Sequence, residues 1–342
     1  FHLHVGIASA RDEKKIGADF LTSLATVAIK RPVFGLSFAL NRDLGKEYIA
    51  RIGKSIRGDI SFGNNNSANI LNGKIEVKLD SPLIDKSSVS VSQGGFYRSV
   101  DNTIVWDKSS DPDLAVIGPG ATGNVNFTFS TVQPTANFIA ATRNPQFNIS
   151  VTATGDKPID SSSSASETVS YTTSRTIKLS SDLGLSTRIV YSNGPFTNNG
   201  AIPPKAEKET TYTVIWTATN GFNDVSGADV TATLPSYVKW LGVVSPQSEH
   251  VSFDSLGGKI TWNIGELRAG TGISSEPREV AFQISFIPSV SQINSAPLLV
   301  NQATMQADDR FTRASLQVSR SELTTHLIGD SRFTHDEDKV IP

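Results

Sequence analysis

The stretch GKITWNIGELRAGTG, residues 258–272, sets a Trp among β-branched residues and ends in a Gly-rich turn. An earlier stretch, NTIVWDKSSDPDLAVIGPGATG at residues 102–123, has the same order of β-branched residue, Trp and Gly/Pro turn. The two indoles, Trp106 and Trp262, lie 156 positions apart. This recurrence indicates that one folding unit occurs twice in the chain.

Other stretches recur at nearly the same separation. Three matches lie 155 positions apart, namely KIEVKL (74–79) with DVTATL (229–234), NVNFTF (124–129) with EVAFQI (279–284), and Asn65 with Asn220. Gly120 matches Gly270 at a separation of 150, which indicates an insertion in one loop of the second copy. Matches in the same order at a nearly constant separation predict a duplicated module.

Apolar and polar residues alternate over short runs bounded by Gly, Pro, Asn and Ser, a pattern typical of half-buried antiparallel strands. The apolar members are Ile75, Val77 and Leu79; Val125, Phe127 and Phe129; Ile149, Val151 and Ala153; and Val280, Phe282, Ile284 and Phe286. Asn-Gly pairs at 72–73, 193–194, 199–200 and 220–221 suit tight turns with a positive φ. The sequence therefore predicts an all-β fold of two tandem Ig-like antiparallel β-sandwiches.

The chain divides into four expected regions. These are an N-terminal helical or irregular segment at 1–34, sandwiches at 35–175 and 176–325, and a polar C-terminal tail at 326–342. A helix is predicted over 12–31, where Ile16, Phe20, Leu24 and Val27 are at helical spacing. The similarity of SSDLG at 180–184 to NRDLG at 41–45 supports the start of the second unit.

Two polar stretches are expected to be irregular. GDKPIDSSSSASETVSYTTS, residues 155–174, contains a four-Ser run and predicts a long loop that ends in a strand. The charged tail at 326–342 is expected to be mobile or to serve as an attachment point.

Both Trp side chains are expected to be core anchors, because burying a large aromatic gains more free energy than exposing it. Ile104 and Ile260, two residues earlier on the same strand face, favour this interpretation over a carbohydrate-stacking platform. The residues expected to form the two cores are Leu79, Trp106, Phe127, Phe129, Leu234, Trp262, Phe282 and Phe286.

The composition excludes several classes of function. Lys and Arg number 31 and Asp and Glu 33, with no basic run, whereas nucleic-acid binding needs a clustered basic field. The absence of Cys excludes disulfides, thiolate zinc sites and a cysteine nucleophile. No apolar run of about 20 residues could span a membrane, but residues 1–10 are a candidate for the trailing end of an anchor upstream of residue 1.

We find no pattern that predicts catalytic or cofactor-binding residues. The chain has no Gly-x-Ser-x-Gly elbow and no phosphate-binding loop before a helix. The five His residues, at 2, 4, 250, 326 and 335, do not have the spacing of a helical zinc site. An enzyme would require convergent titratable groups in a pocket between the two modules.

One acidic turn is a candidate Ca²⁺ site. Asp107, Asp111 and Asp113 in DKSSDPD offer several oxygens from one turn, as hard cations require. We favour the alternative of a solvated acidic turn shaped by Pro112, because the second copy has NIGEL at this place. The pair Asp308-Asp309 in ADDRF is predicted to be a turn.

The second copy resembles a known bacterial surface repeat through TATLPSYVKW, GKITWNIGELRAGTG and EVAFQISF. That family is a conserved-repeat Ig-like β-sandwich of unknown function, which occurs in tandem in predicted surface proteins of uncultured small bacteria. The positions that fit its pattern are Asn220, Leu234, Pro235, Trp262, Asn263, Gly265, Leu267 and Gly270. The resemblance covers most of 205–318 and, less closely, 55–155, where LDSPL and WDKSSDPDL depart from the pattern.

The resemblance implies structural motif residues and display outside the cell behind a membrane anchor. We expect a non-enzymatic extracellular protein that acts as a structural or adhesive spacer rod. Its expected partners are other cell-surface proteins or further copies of itself, without nucleic acid. Two alternatives are a lattice or filament subunit of the cell envelope and a glycan- or protein-binding adhesin.

Overall fold

The computed structural model describes residues 2–9, 12–24, 32–133, 135–159 and 165–342, and it is almost entirely β-structure, as predicted. Two long segments, 34–179 and 183–341, each contain a pair of packed β-sheets, and the second segment has a two-stranded sheet besides. The apolar residues between those sheets form two separate buried clusters, one for each segment. The prediction of two sandwich cores is confirmed. Among the described residues, no helix is long and apolar enough to cross a membrane.

The N-terminal segment forms a β-hairpin of β1 (His2–Ser9) and β2 (Asp12–Leu24), which pair antiparallel in a sheet of their own. The helix predicted from residue 12 onward is therefore wrong up to Leu24, and residues 25–31 lie outside the described residues. A spacing of four, as between Ile16 and Phe20, fits one face of a strand as well as one face of a helix. Gly17 also lowers the helix propensity of this stretch.

The first sandwich packs a four-stranded sheet, ordered β3-β5-β11-β7, against a larger sheet ordered β4-β13-β12-β6-β9-β8, with β10 beside β6. All pairs are antiparallel except β4 with β13. The strands are β3 (Phe34–Leu40), β4 (Glu47–Ala50), β5 (Ser55–Asn64), β6 (Ile70–Lys78), β7 (Ile84–Val91), β8 (Phe96–Arg98), β9 (Thr103–Asp107), β10 (Val116–Ile117), β11 (Thr122–Thr131), β12 (Gln146–Pro158) and β13 (Ser166–Leu179). A short helix, α1 (Ala136–Ala141), lies between β11 and β12.

The second sandwich has the same plan. A sheet ordered β14-β15-β20-β17 packs against one ordered β18-β19-β16-β22-β23, and β21 pairs with β24 at the side. The strands are β14 (Leu183–Val190), β15 (Thr210–Asn220), β16 (Val225–Thr233), β17 (Val238–Ser245), β18 (His250–Asp254), β19 (Lys259–Leu267), β20 (Arg278–Phe286), β21 (Leu298–Val300), β22 (Ala303–Asp309), β23 (Ser315–Arg320) and β24 (Leu323–Thr324).

The four-stranded sheets of the two sandwiches match strand for strand, since β3, β5, β11 and β7 correspond in order to β14, β15, β20 and β17. Trp106 on β9 and Trp262 on β19 are both fully buried, and each pairs with a buried residue of the neighbouring strand, Ile75 or Val230. Each indole N–H has an acceptor 2.8 Å away, the Ser92 carbonyl for Trp106 and a carboxylate oxygen for Trp262. All eight predicted core residues are buried.

The structure corrects which Asn of the first module corresponds to Asn220 of the second. Asn64, rather than Asn65, ends β5 as Asn220 ends β15, and both are buried. Each donates from its amide to carbonyls of two different loops, those of Ala68 and Ile117 for Asn64. This correction gives the Asn pair the same 156-residue separation as the Trp pair.

The Asn-Gly pairs are mostly not the tight turns that we expected. Asn72 does have a positive φ of 53°, but it lies inside β6, where the pairing with β12 shifts register. Gly227, with φ of 62°, occupies the corresponding place in β16, beside the same kind of shift. The left-handed residue therefore forms a β-bulge that occurs once in each sandwich. Of the other three pairs, only Gly200 has a positive φ.

The expected boundary between the modules and the expected loop at 155–174 also change. Strand β13 pairs with β12 as far as Lys178 and with β4 as far as Leu179, so a boundary at 175 would cut it. The counterpart of β14 is β3, which precedes NRDLG, so the similarity of SSDLG to NRDLG was misleading. The stretch at 155–174 contains less loop than predicted, because β12 and β13 form a hairpin from Pro158 and Ser166 inward.

The C-terminal tail is packed onto the second sandwich, which contradicts the expected mobile segment. Leu327 and Val340 belong to its buried core, and the backbone of 340–341 bonds to 204–206 and 294–295. Asp330 is buried and accepts hydrogen bonds from the N–H groups of Tyr191 at 2.7 Å and Ser192 at 2.6 Å. A few buried apolar residues therefore anchor this stretch despite its polar composition.

Truncating either core indole should destabilise mainly its own sandwich. Trp106→Ala and Trp262→Ala each leave a cavity between sheets, which costs ~3–5 kcal/mol. Because the cores are separate, differential scanning calorimetry should show a lower melting temperature for the mutated sandwich and little change in the other. A variant that melted like the parent would contradict the assignment of that Trp to the core.

The tail contact should weaken at acid pH. Burial raises the pKa of Asp330, but hydrogen bonds from the backbone N–H groups of Ser192, Tyr191 and Arg332 outweigh burial and lower it overall. A lowered carboxyl pKa stabilises the fold above the ordinary value near 4, and this contribution is lost as pH falls through the native pKa. Asp330→Asn should therefore cost about 1–2 kcal/mol at neutral pH.

Urea denaturation of the parent and Asp330→Asn at several pH values would test this. We expect the difference in unfolding free energy to shrink toward zero as pH falls through the lowered native pKa of Asp330. Asp254→Asn, at an exposed carboxylate in the β18–β19 turn, is the matched control and should differ little from the parent at neutral pH. A constant difference at all pH values would contradict the electrostatic origin.

Candidate functional site: the junction between the sandwiches

The two sandwiches are joined by only three residues, 180–182, between β13 and β14. The N–H of Ser180 donates to the Ala50 carbonyl of the first sandwich at 2.9 Å. The N–H of Ser181 donates at 2.7 Å to Asp309 of the second sandwich. Both serines are buried. Successive linker residues are thus hydrogen-bonded to opposite modules.

Asp309 is the central acceptor of this junction and is 1% exposed. One carboxylate oxygen accepts from the Ser181 N–H and the Asn223 amide, and the other accepts from the N–H groups of Phe311 and Thr312 at 2.8 and 2.9 Å. A buried carboxylate is stable only when hydrogen bonds replace its lost hydration. Four N–H donors meet this requirement.

Two buried Asn side chains complete the polar cluster. Asn223 donates 2.8 Å hydrogen bonds to the Leu179 carbonyl at the end of the first sandwich and to Asp309. Asn220 accepts from the Ser181 hydroxyl at 2.6 Å. The end of β13, the linker and two turns of the second sandwich therefore share one hydrogen-bond network.

Contacts around this network add to the junction. Phe138 of α1 packs edge-on against the buried Phe222, with ring centroids 5.8 Å apart. Lys178 places its ammonium 5.3 Å from the ring centroid of Phe311, within cation–π range. Arg143 donates to the Ala269 carbonyl at 3.4 Å. These contacts restrict the angle between the modules.

A cleft of about 870 Å³ opens beside the junction, and charged residues of both modules line it. Most of their charges are already engaged in pairs or hydrogen bonds. Arg278 pairs with Glu249 at 2.7 Å, and Glu266 pairs with Arg310 at 2.8 Å. The hydroxyls of Thr271, Ser274 and Ser275 donate to backbone carbonyls. The lining thus offers no hydroxyl nucleophile held by a base.

The acidic turn uses its carboxylates locally. Asp107 accepts from the N–H groups of Ser109 and Ser110 and from the Ser109 hydroxyl. Asp111 caps the short 3-10 helix Pro112–Leu114 by accepting from the Asp113 N–H at 3.1 Å. Within the described ranges, no three acidic or His side chains are grouped as metal ligands. Ca²⁺ binding here stays a prediction without a convergent ligand set.

The junction is not predicted by any pattern in the sequence. Its elements are GFND at 221–224 and DDRF at 308–311. The turn expected at Asp308-Asp309 is wrong, because both residues lie at the end of β22. A signal was nevertheless present, because Asn220, Asn223 and Asp309 are polar residues beside strongly apolar strands. Buried carboxylate and amide groups need mutual partners, but the sequence does not state which loops meet.

No family model and no curated protein matches this chain. Solved structures that it resembles include the C-terminal domain of the antigen I/II-family protein AspA from Streptococcus pyogenes, with 11% identity, a TM-score of 0.33, and coverage of 84% of this chain and 99% of that one. The BspA C-terminal domain of Streptococcus agalactiae has 10% identity and a TM-score of 0.26, with coverage of 84% of this chain and 100% of that one. The major pilin subunit BcpA of Bacillus cereus has 8% identity and a TM-score of 0.28, with coverage of 85% of this chain and 68% of that one. TM-scores this low do not assign a function to this chain.

Weakening the polar cluster should free the two sandwiches to move. Asn223→Ala removes the donor to Leu179 and Asp309, and the cysteine-free sequence permits clean spin labelling at two exposed sites, Val100→Cys and Leu256→Cys. Electron–electron double resonance should give a narrow distance distribution in the parent and a broader one in the variant.

The matched control for this measurement is Asn301→Ala. Asn301 also donates two side-chain hydrogen bonds, but both go to Thr233 within the second sandwich. We expect its distance distribution to equal that of the parent. Equal broadening by both substitutions, or a broad distribution in the parent, would contradict a fixed junction.

Proposed function

We propose that this chain is a non-enzymatic extracellular protein that acts as a structural or adhesive spacer rod at the cell surface. The single observation that supports the proposal most is the junction, in which a three-residue linker is hydrogen-bonded to both sandwiches. Two self-contained cores in fixed succession suit a protein that keeps a distance or presents a surface. The anchor and the relationship to the conserved-repeat surface family belong to the same proposal.

The chemistry of the clefts supports a role without catalysis. In the cleft beside the junction, Asp224 accepts from the Ala269 N–H at 2.8 Å, and Arg278 and Glu249 neutralise each other. A catalytic site instead concentrates titratable groups whose pKa values are shifted toward the working pH. The ionisable groups here hold loops together.

Display on the cell surface can be tested on intact cells of the source organism. Antibodies raised against the purified chain should label unpermeabilised cells, and added protease should remove the label. Labelling that required permeabilisation would overturn the extracellular role. An antibody against a cytoplasmic protein is the control for cell integrity.

The two alternative roles predict different outcomes with the purified chain. A lattice or filament subunit should form ordered assemblies in negative-stain micrographs as concentration rises, whereas a spacer rod should not. An adhesin should give saturable binding on a glycan array or to host-cell proteins. Either result would replace the spacer role as the primary function.

A further inference from the structure

The first sandwich has a long open edge on β13. Only Thr176–Leu179 pair with β4, so the edge from Ser166 to Ser174 has no strand beside it among the described residues. Along the same stretch, β13 pairs with β12 without a register shift, which keeps the edge regular. Alternate N–H and C=O groups over nine residues therefore point away from the sheet.

Beyond Glu167, this edge lacks the devices that normally block strand addition. Such devices are charged residues, Pro, bulges and short length. From Thr168 to Ser174 the sequence is TVSYTTS, which has no charge, no Pro and no Gly. Its β-branched and aromatic residues also favour strand pairing.

Three other edge strands carry such protection. Strand β7 contains Asp85 and Lys86, and β17 bulges between Trp240 and Val244. Strand β3 is uncharged, but Arg175 donates to its Phe38 carbonyl. Compared with these three edges, the β13 edge from Thr168 to Ser174 is unprotected, and it is longer than the uncharged edge Ser315–Ser319 of β23.

We propose that this edge pairs with the same edge of a second copy, antiparallel about a two-fold axis through Ser170. The free edge, Ser166–Ser174, is centred on Ser170, so this register uses all of it in both copies and stops before β4. Closed two-fold symmetry is the commonest arrangement for identical chains. Pairing here would join two sheets into one continuous sheet.

The sequence of the edge is complementary to itself in this register. On the outer face every opposed pair consists of hydroxyl residues: Ser166 with Ser174, Thr168 with Thr172, and Ser170 with Ser170. On the inner face Val169 opposes Tyr171, and Glu167 opposes Thr173. Thr and Ser pairs and aromatic pairs with β-branched residues stabilise neighbouring strands, and no like charges are opposed.

The side chains already adopt the arrangement that this pairing needs. The Thr152 and Thr172 hydroxyls hydrogen-bond at 2.9 Å on the outer face, so the row of hydroxyls continues across the sheet. Glu167 pairs with Lys157 of its own sheet at 3.3 Å, so its charge is compensated before a partner arrives. Val169 packs partly against the core, and Tyr171 is 36% exposed.

A ladder of nine residues supplies about eight backbone hydrogen bonds and little apolar area. The dimer should accordingly be weak, with a dissociation constant on the order of micromolar or above, as for small interfaces. This inference deepens the proposed spacer role by joining rods in pairs through their first sandwiches. A monomeric chain would overturn it without affecting display at the cell surface.

Sedimentation velocity of the full chain from micromolar to near-millimolar concentration is the test. The parent should pass from monomer to dimer. Ser170→Lys places two ammonium groups opposite each other at the axis and should weaken the dimer about tenfold. Ser170→Glu should do the same, and an equimolar mixture of the two variants should restore association, because opposite charges then meet.

Gln317→Lys is the matched control, since Gln317 occupies the position of Ser170 on the corresponding exposed strand, β23, of the second sandwich. It should associate like the parent. Unchanged melting temperatures would show that all variants are folded. A monomeric parent, equal weakening by Gln317→Lys, or no recovery in the Lys–Glu mixture would each overturn the proposal.

Discussion

Burial of an indole at equivalent places between the two sheets is the constraint that both sandwiches share. Trp106 and Trp262 are fully buried on equivalent strands, and each must place its N–H against an acceptor, because an unpaired buried donor costs free energy. The acceptors differ, a backbone carbonyl in the first sandwich and the Glu249 carboxylate in the second. The position of the ring is thus common to the copies, whereas its polar partner is particular to each.

The sequence predicted what depends on periodicity. Alternating runs such as Val280 to Phe286 identified strands and their buried faces, and the separation of the Trp residues identified the duplication. Where a spacing fitted two periods, prediction failed: Ile16 and Phe20 suit helix and strand alike, and pairing with His2–Ser9 selects the strand. That partner is not visible in a local window.

The remaining errors arose from long-range packing. The tail at 326–342 has a polar composition, but Leu327 and Val340 are completely buried. Their burial stabilises the packed tail, while the charged side chains around them can stay in water. Asn72 was assigned to a turn by its dipeptide, whereas the structure uses its positive φ for a bulge within β6. The junction was missed because its members come from the end of β13, the linker and two separate turns of the second sandwich.

Asp309 has no equivalent in the first sandwich, where pairing of β12 with β6 puts Lys157 at the corresponding place. The duplicated modules have consequently diverged into a leading and a following type, and only the following type carries the acceptor for an incoming linker. Their order along the chain is therefore chemically encoded. In a recombined chain with the first sandwich in second position, both sandwiches would still fold. The linker would then have no carboxylate equivalent to Asp309 to accept its N–H.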